Sequence, residues 1–155
     1  MKLVAKVHKS WIYLMLFCLL SANPVWAQAA TQSQVSVTVV LASSNGGEVD
    51  PRLNSIIQDL QKLFTQYSYK KLDQFDMNLG INEEKSFDID KAASVQVRFL
   101  GVEGDKVNLK LRIKENKKDL INTNFSITKG GTIIIGGPER KDGKLVLAIK
   151  ATIAP

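Results

Sequence analysis

Apolar residues recur along this chain with two periods, and each period predicts a different kind of element. Over residues 50–67 they lie three or four positions apart, which predicts one continuous amphipathic helix. Asp50 is a favourable N-cap, and Pro51 suits the first helical position. Because the stripe needs a cover, we expect this helix to close the core over a sheet. The stripe consists of Leu53, Ile56, Ile57, Leu60, Leu63, Phe64 and Tyr67.

Most of the remaining chain alternates apolar and polar residues at period two, which predicts strands. No internal linker interrupts this pattern, so we expect a short flexible tail over 28–33 and a single domain over 34–155. The predicted fold class is α+β, with one helix packed on one face of a mostly antiparallel sheet of about six or seven strands. The alternating segments are residues 34–42, 74–81, 87–89, 94–103, 107–114, 120–128 and 145–153, and residues 132–135 form a short β-branched run that is apolar on both faces.

The N-terminal residues have the three parts of a signal peptide. Three lysines precede an apolar run over residues 11–20, and a small-x-small site follows at 25–27. The run is shorter than the roughly 20 residues that a membrane span requires. We therefore predict a signal peptide over 1–27, cleavage between Ala27 and Gln28, and a location in the bacterial periplasm or cell envelope.

Removal of this leader would change the chemistry available to the protein. The single His, the single Cys and both Trp lie within it, as do Lys2, Lys6 and Lys9. The formal charge would fall from +6 to +3, since 18 basic and 15 acidic residues remain. Without cysteine, the exported chain has no disulfides and depends on its apolar core.

A chain without His or Cys lacks the usual nucleophile and base pairs and the preferred ligands of zinc, copper and haem. We therefore expect no enzymatic activity, no cofactor and no metal site. Export, and the lack of aromatic residues among the cationic ones, argue against nucleic acid as a partner. Contact with the membrane is expected only through the transient signal peptide.

Cationic side chains occupy polar positions of several predicted strands. If those strands are neighbours, the side chains form one basic face that suits a protein partner in the envelope, or an anionic surface or polymer. The alternative is an ordinary solvated face, whose charge Asp76 and Glu103 dilute. The cationic residues are Arg98, Lys110, Arg112, Lys114 and Lys150.

The leading hypothesis is a non-catalytic binding or assembly module that acts through this face or through an edge strand. Two other functions stay open. Asp88 and Asp90 lie two residues apart on a predicted strand, so they share a face and would suit a small ligand-binding protein or a carboxylate-based enzyme, given a concave pocket there. The third hypothesis is a structural subunit that joins a larger assembly by strand addition.

Two stretches resemble known sequences. LINTNFSITKGGTIIIGGP at 120–138 and EVDPRL at 48–53 together resemble an uncharacterised family of small exported bacterial envelope proteins. This resemblance implies export but no known activity. Residues 128–137 are similar to a hairpin of outer-membrane secretin subunits, which implies a role in envelope assembly. No catalytic residue follows from either resemblance.

Overall fold

The computed structural model of the chain describes residues 32–64 and 68–154, which form eight strands and one short helix. The strands pair antiparallel in two four-stranded sheets. The elements are β1 (Gln32–Ser43), a 3-10 turn (Pro51–Leu53), α1 (Ile57–Leu63), β2 (Ser68–Gly80), β3 (Glu84–Asp88), β4 (Ala93–Glu103), β5 (Lys106–Glu115), β6 (Lys118–Thr128), β7 (Thr132–Arg140) and β8 (Gly143–Ile153). We call the sheet with order β2-β1-β8-β7 sheet A, and the sheet with order β3-β4-β5-β6 sheet B.

The chain passes from one sheet to the other at two connections, β2–β3 and β6–β7. In both cases it leaves an edge strand of one sheet and enters an edge strand of the other. Phe75 on β2 and Phe87 on β3 stack with ring centroids 4.0 Å apart. This aromatic contact connects sheet A to sheet B at the edge formed by β2 and β3.

The main core lies between the two sheets. Every second side chain of each strand points inward, so the period-two pattern becomes two apolar layers that face each other. Full burial of one such aliphatic side chain contributes about 1.5–3 kcal/mol. The completely buried members are Val35, Val37, Val39, Leu79, Val95, Val97, Phe99, Val107, Leu109, Leu111, Ile113, Leu147, Ile149 and Ala151.

A second, smaller apolar cluster lies on the outer side of sheet A, where the 3-10 turn and α1 pack. Leu53 and Leu60 are buried there against Val40 and Val146, which point away from the main core. Tyr69, near the start of β2, is buried in the same cluster. The helix therefore covers part of the outer surface of sheet A.

Two polar anchors hold the helical segment in place. The Asp50 carboxylate caps the 3-10 turn by accepting from the Arg52 backbone N–H at 3.0 Å, and it accepts from the Lys71 N–H of β2 at 3.2 Å. Hydrogen bonds from the Arg52 side chain and backbone hold the pKa of Asp50 well below its usual range. At the other end of α1, the Tyr69 hydroxyl donates to the Phe64 carbonyl, where helix carbonyls lack intrahelical partners.

The expectation of a mostly antiparallel β structure with a helix on one face is confirmed. The single sheet of six or seven strands is wrong, because eight strands form two sheets of four and the class is closer to all-β. A seven-residue helix spans only about 10 Å and covers little of a sheet. The apolar face of each sheet is covered mainly by the other sheet, and the helix is not the lid of the main core.

The prediction of one continuous helix is also wrong. Turns over 54–56 separate the 3-10 turn from α1, and α1 ends at Leu63. Asn54 and Ser55 favour turns because their side chains compete for backbone hydrogen bonds. Leu63, counted in the apolar stripe, is 59% exposed. Tyr67 lies outside the described residues.

The strand boundaries differ from the predicted ones mainly at their ends. The flexible tail predicted over 28–33 overlaps β1, because Gln32 and Ser33 belong to that strand, and residues 28–31 lie outside the described residues. The Ser33 hydroxyl is buried and donates to the Thr152 carbonyl at 2.8 Å. The predicted signal peptide over 1–27, with its cleavage site at Ala27 and Gln28, lies outside the described residues.

Candidate functional site

The outer face of sheet B is an open polar surface formed by the alternate residues that do not enter the core. Strand register aligns these residues in three rows that cross β3, β4, β5 and β6. We call the twelve residues of these rows the charged face. The rows are Glu84–Arg98–Lys110–Asn124, Ser86–Gln96–Arg112–Asn122 and Asp88–Ser94–Lys114–Asp119.

Four of the five cations expected to form a basic face lie together on the charged face. Arg98 and Lys110 are cross-strand partners, and Arg112 and Lys114 follow on the same side of β5. Lys150 is separate, because β8 belongs to sheet A. Its place in the predicted basic face is therefore wrong. It lies on the outer face of sheet A, where it pairs in register with Ser36 and Thr132.

Acidic residues on the edge strands pair with two of these four cations. Arg98 lies 3.1 Å from Glu84 of β3, and Arg112 lies 3.7 Å from Asp119 of β6. Both pairs are partly exposed, so each contributes little to stability. Lys110 and Lys114 have no carboxylate within 4.0 Å in the described part of the chain. The central strand β5 thus carries two uncommitted positive charges on the charged face.

The middle row of the charged face contains two polar atoms without hydrogen-bond partners among the described residues. They are Gln96 Oε1 and Arg112 Nε, which lie on directly paired positions of β4 and β5. Both atoms are almost completely inaccessible to solvent. Since buried polar atoms are usually satisfied, this row has unused hydrogen-bonding capacity.

Asp90 has a structural role. Its Oδ1 accepts from the backbone N–H groups of Ala92 and Ala93, each at 2.8 Å, and its Oδ2 accepts from Arg140 Nε at 2.6 Å. Partial burial opposes ionisation of Asp90, but the Arg140 hydrogen bond and the two backbone hydrogen bonds outweigh it and lower the pKa. Arg140 also donates to Glu115 Oε1 at 2.6 Å, so this network joins the β3–β4 connection to β5 and β7.

The hypothesis that Asp88 and Asp90 share a strand face is wrong. β3 ends at Asp88, which belongs to the charged face, whereas Asp90 lies in the following bend and is engaged by Arg140. A carboxylate whose pKa is lowered in this way is poorly suited to act as a general acid. Asp90 is therefore committed to Arg140 and to two backbone N–H groups.

A cleft of about 550 Å³ is nevertheless present beside Asp88 and Asp90. Its floor is the Asp88–Ser94–Lys114 row, and its walls are the β3–β4 connection and the β5–β6 turn. We call it the end cleft. Its lining residues are Asp88, Asp90, Lys91, Ala92, Ala93, Ser94, Lys114, Asn116 and Lys117.

Four strands have one free edge each, which bears on the strand-addition hypothesis: β2 and β7 in sheet A, β3 and β6 in sheet B. β3 has only five residues, and β2 and β7 each contain a register shift. Short or bulged edges resist pairing with another chain. β6 also contains a register shift, near its start, and like β2 it has eight residues of uninterrupted pairing. The charged residues Lys118 and Asp119 lie at its first two positions.

Within the described residues, no group of three or more potential ligands is placed to hold a metal ion. No helix in residues 32–64 or 68–154 has the length and apolar character needed to span a membrane. Comparison with protein-family models, with curated proteins and with solved structures finds no match. The resemblance to small envelope proteins therefore stays an expectation.

Sequence reasoning missed the Asp90–Arg140–Glu115 network and two of the three cations of the end cleft, Lys91 and Lys117. The polar sequence around Arg140 predicts a loop. Arg140 contacts Asp90 only because β7 ends beside the β3–β4 connection. The Asn116-Lys117 turn was visible as polar sequence, but its proximity to Lys91 depends on the pairing of β3, β4 and β5. No local signal in the sequence reports such contacts.

Proposed function

We propose that this protein is a non-catalytic binding or assembly module of the bacterial periplasm or cell envelope. In this proposal the charged face contacts an acidic protein partner or an anionic surface. The observation that carries the proposal is the position of Lys110 and Lys114, which share one open face with Arg98 and Arg112 and have no carboxylate partner among the described residues.

The shape of this surface favours a macromolecular partner. Sites for small molecules are concave and enclose most of their ligand. The three rows of the charged face lie on an open sheet surface, which can contact a protein or an extended polymer over a large area. Complementary charge on such a partner accelerates association and selects against cationic surfaces.

The charge pattern also disfavours a second copy of the chain docking through the same face. In a two-fold contact the same patch occurs on both sides. The cations of the two central strands would then oppose each other, with the acidic residues Glu84, Asp88 and Asp119 displaced to the edges. A partner with an acidic centre fits this arrangement better.

The unpartnered atoms of the middle row support the same surface. A bound partner that turns the Gln96 or Arg112 side chain would bring Oε1 or Nε to a complementary group. Hydrogen bonds with a charged member contribute about 1.5–3 kcal/mol when they are fully formed. The row thus adds specificity to an otherwise electrostatic contact.

A paired charge-reversal experiment tests this proposal. The variant Lys110→Glu/Arg112→Glu inverts the centre of the charged face, and Lys150→Glu serves as the control because it reverses a cation on the other sheet. Both proteins are used as bait with the envelope fraction of the native host. The proposal predicts that partners retained by the wild type and by Lys150→Glu are lost from the double variant. Equal retention by all three proteins would contradict it.

A further inference from the structure

The end cleft has a defined geometry that does not depend on the rest of the charged face. The Asn116 N–H donates to the Ala92 carbonyl at 2.8 Å, which joins its two walls. Asn116 and Lys117 have φ values of 48° and 68°, as expected for a tight two-residue hairpin turn. Asp90 holds the opposite wall through Ala92 and Ala93. The cleft volume of about 550 Å³ is within the usual range for ligand sites.

Three lysines line this cleft, and their charges are uncommitted. Lys91, Lys114 and Lys117 have no carboxylate within 4.0 Å in the described part of the chain. Asp90 is engaged by Arg140 and two backbone N–H groups, so it is not available to neutralise them. Asp88 is the remaining carboxylate in the lining.

The charge outside the lining reduces this excess but does not remove it. Arg140 is shared between Asp90 and Glu115, so that network has a formal charge of −1. With three lysines and Asp88 added, the whole group has a formal charge of +1. The three lysines line the cleft, whereas Glu115 is not part of its lining.

We propose that the end cleft binds a phosphate-class oxyanion, carried either by a lipid headgroup or by a free phosphorylated ligand. Lysine ammonium groups act as point charges that converge on a tetrahedral oxyanion from several directions. Arginine binds both carboxylates and phosphates through its two-pronged guanidinium, whereas lysine is a common phosphate ligand that acts as a point charge. No arginine lines this cleft, and three flexible lysines surround it.

The role of Asp88 makes the proposal specific. Its carboxylate repels a bound oxyanion, so neutralising it strengthens binding. A ligand that carried its own cation beside the phosphate would pair with Asp88, and neutralisation would then weaken binding. Asp88 has no ion pair with any described residue, so its substitution removes no such contact.

In the first test, the protein is produced in the form that the cell makes after processing and is titrated with inorganic phosphate. Its backbone amide chemical shifts are recorded by NMR at each phosphate concentration. The proposal predicts shifts centred on Ala92, Ala93, Asn116 and Lys117. Lys91→Gln/Lys117→Gln should weaken binding about tenfold. Lys129→Gln, an exposed lysine in the β6–β7 turn, should leave it unchanged, and Asp88→Asn should tighten it.

The second arm distinguishes the two sources of phosphate. Co-sedimentation is measured with vesicles that contain phosphatidylglycerol and with vesicles of phosphatidylcholine alone. If the wild type binds the phosphatidylglycerol vesicles and the Lys91→Gln/Lys117→Gln variant does not, the site binds a lipid headgroup. Phosphate-induced shifts without vesicle binding assign it to a free ligand.

Three outcomes would overturn the proposal: no response to phosphate or vesicles, an equal response in the Lys91→Gln/Lys117→Gln variant, or weaker binding in Asp88→Asn. The test is separate from that of the charged face, because neither Lys91 nor Lys117 belongs to that face. The Lys110→Glu/Arg112→Glu variant should keep its phosphate response even where partner capture is lost.

Discussion

Gly143, the first residue of β8, is the glycine at which an added Cβ would lie closest to another atom. Its φ of +147° is disfavoured for any residue with a Cβ, and a Cβ there would lie 2.3 Å from the Ala42 carbonyl oxygen. The sequence shows an Asp-Gly turn at this point but not the approach of β1. A turn motif predicts the need for glycine, whereas the contact that makes it essential comes from another strand.

Substitution of Gly143 by alanine should therefore destabilise the fold strongly. We expect Gly143→Ala to lower the free energy of unfolding by about 3 kcal/mol or more, because backbone strain and a backbone clash combine. Gly46→Ala is the matched control, since Gly46 also has a positive φ but its Cβ would meet nothing within 4 Å. It should cost about 1 kcal/mol. Similar urea unfolding midpoints for the two variants would refute this explanation.

Asp50 makes the stability of the helical segment depend on pH. Its folded-state pKa is lowered by hydrogen bonds from Arg52, so its contribution is fully present above the unfolded pKa of about 3.9. The contribution is lost as the pH falls from there towards the folded-state pKa.

The pH dependence can be measured with Asp50→Asn. The wild type should exceed this variant in unfolding free energy at about pH 6, and the difference should shrink at about pH 3. Asp105→Asn is the control, because the Asp105 side chain makes no hydrogen bond or ion pair with the described residues. A difference between wild type and Asp50→Asn that stays constant with pH would contradict the proposed linkage.

The helical segment was only partly predictable. The apolar spacing correctly identified Leu53 and Leu60 as buried, because both positions face sheet A. The same spacing is also compatible with a 3-10 turn, the turns over 54–56 and a short helix, and it placed Leu63 in the buried stripe. The spacing of apolar residues predicts which side of an ideal helix each side chain faces. That prediction fails where the backbone departs from helical geometry.

Leu60 and Leu63 provide a direct comparison on α1. Leu60→Ala should lower the free energy of unfolding by about 2–5 kcal/mol, since Leu60 is completely buried in the outer cluster. Leu63→Ala should change it by less than about 0.5 kcal/mol, because Leu63 is 59% exposed. Thermal and urea unfolding of the two variants measure this difference. Equal losses would support the continuous stripe expected from the sequence.

The strands were easier to predict than the helix. Period-two alternation located β4 over 94–103 and β6 over 120–128, against observed ranges of Ala93–Glu103 and Lys118–Thr128. Alternation is a local property of a strand, so it survives without knowledge of its neighbours. β7 was predicted to end at Ile135 but continues to Arg140, because a register shift accommodates the Gly-Gly-Pro segment within the sheet.

At the level of the whole molecule, the sequence showed which side chains point inward but not what they meet. One sheet covered by a helix and two sheets covering each other produce the same alternation along each strand. The predicted basic face is divided between the two sheets because β8 belongs to sheet A. Lys150 is therefore separated from Arg98, Lys110, Arg112 and Lys114. Strand order is a long-range property, and no short segment specifies it.

The two-sheet arrangement gives the molecule two outer surfaces of different character. Sheet A is partly covered by the helical segment, whereas the charged face of sheet B has no helix packed on it in the described residues. The end cleft lies at one end of the charged face and shares Asp88, Ser94 and Lys114 with it. An acidic partner on this side would therefore also lie close to any oxyanion held in the cleft.

Site-specific photocrosslinking in the native host tests most directly which surface meets a partner. A photoreactive amino acid is placed at Asn122 on the charged face or at Asn78 on the outer face of sheet A; both positions are exposed asparagines on edge strands. Our account predicts a discrete crosslinked adduct from position 122 and none from position 78. Adducts from position 78 alone, or equally from both positions, would contradict the assignment of the charged face as the binding surface.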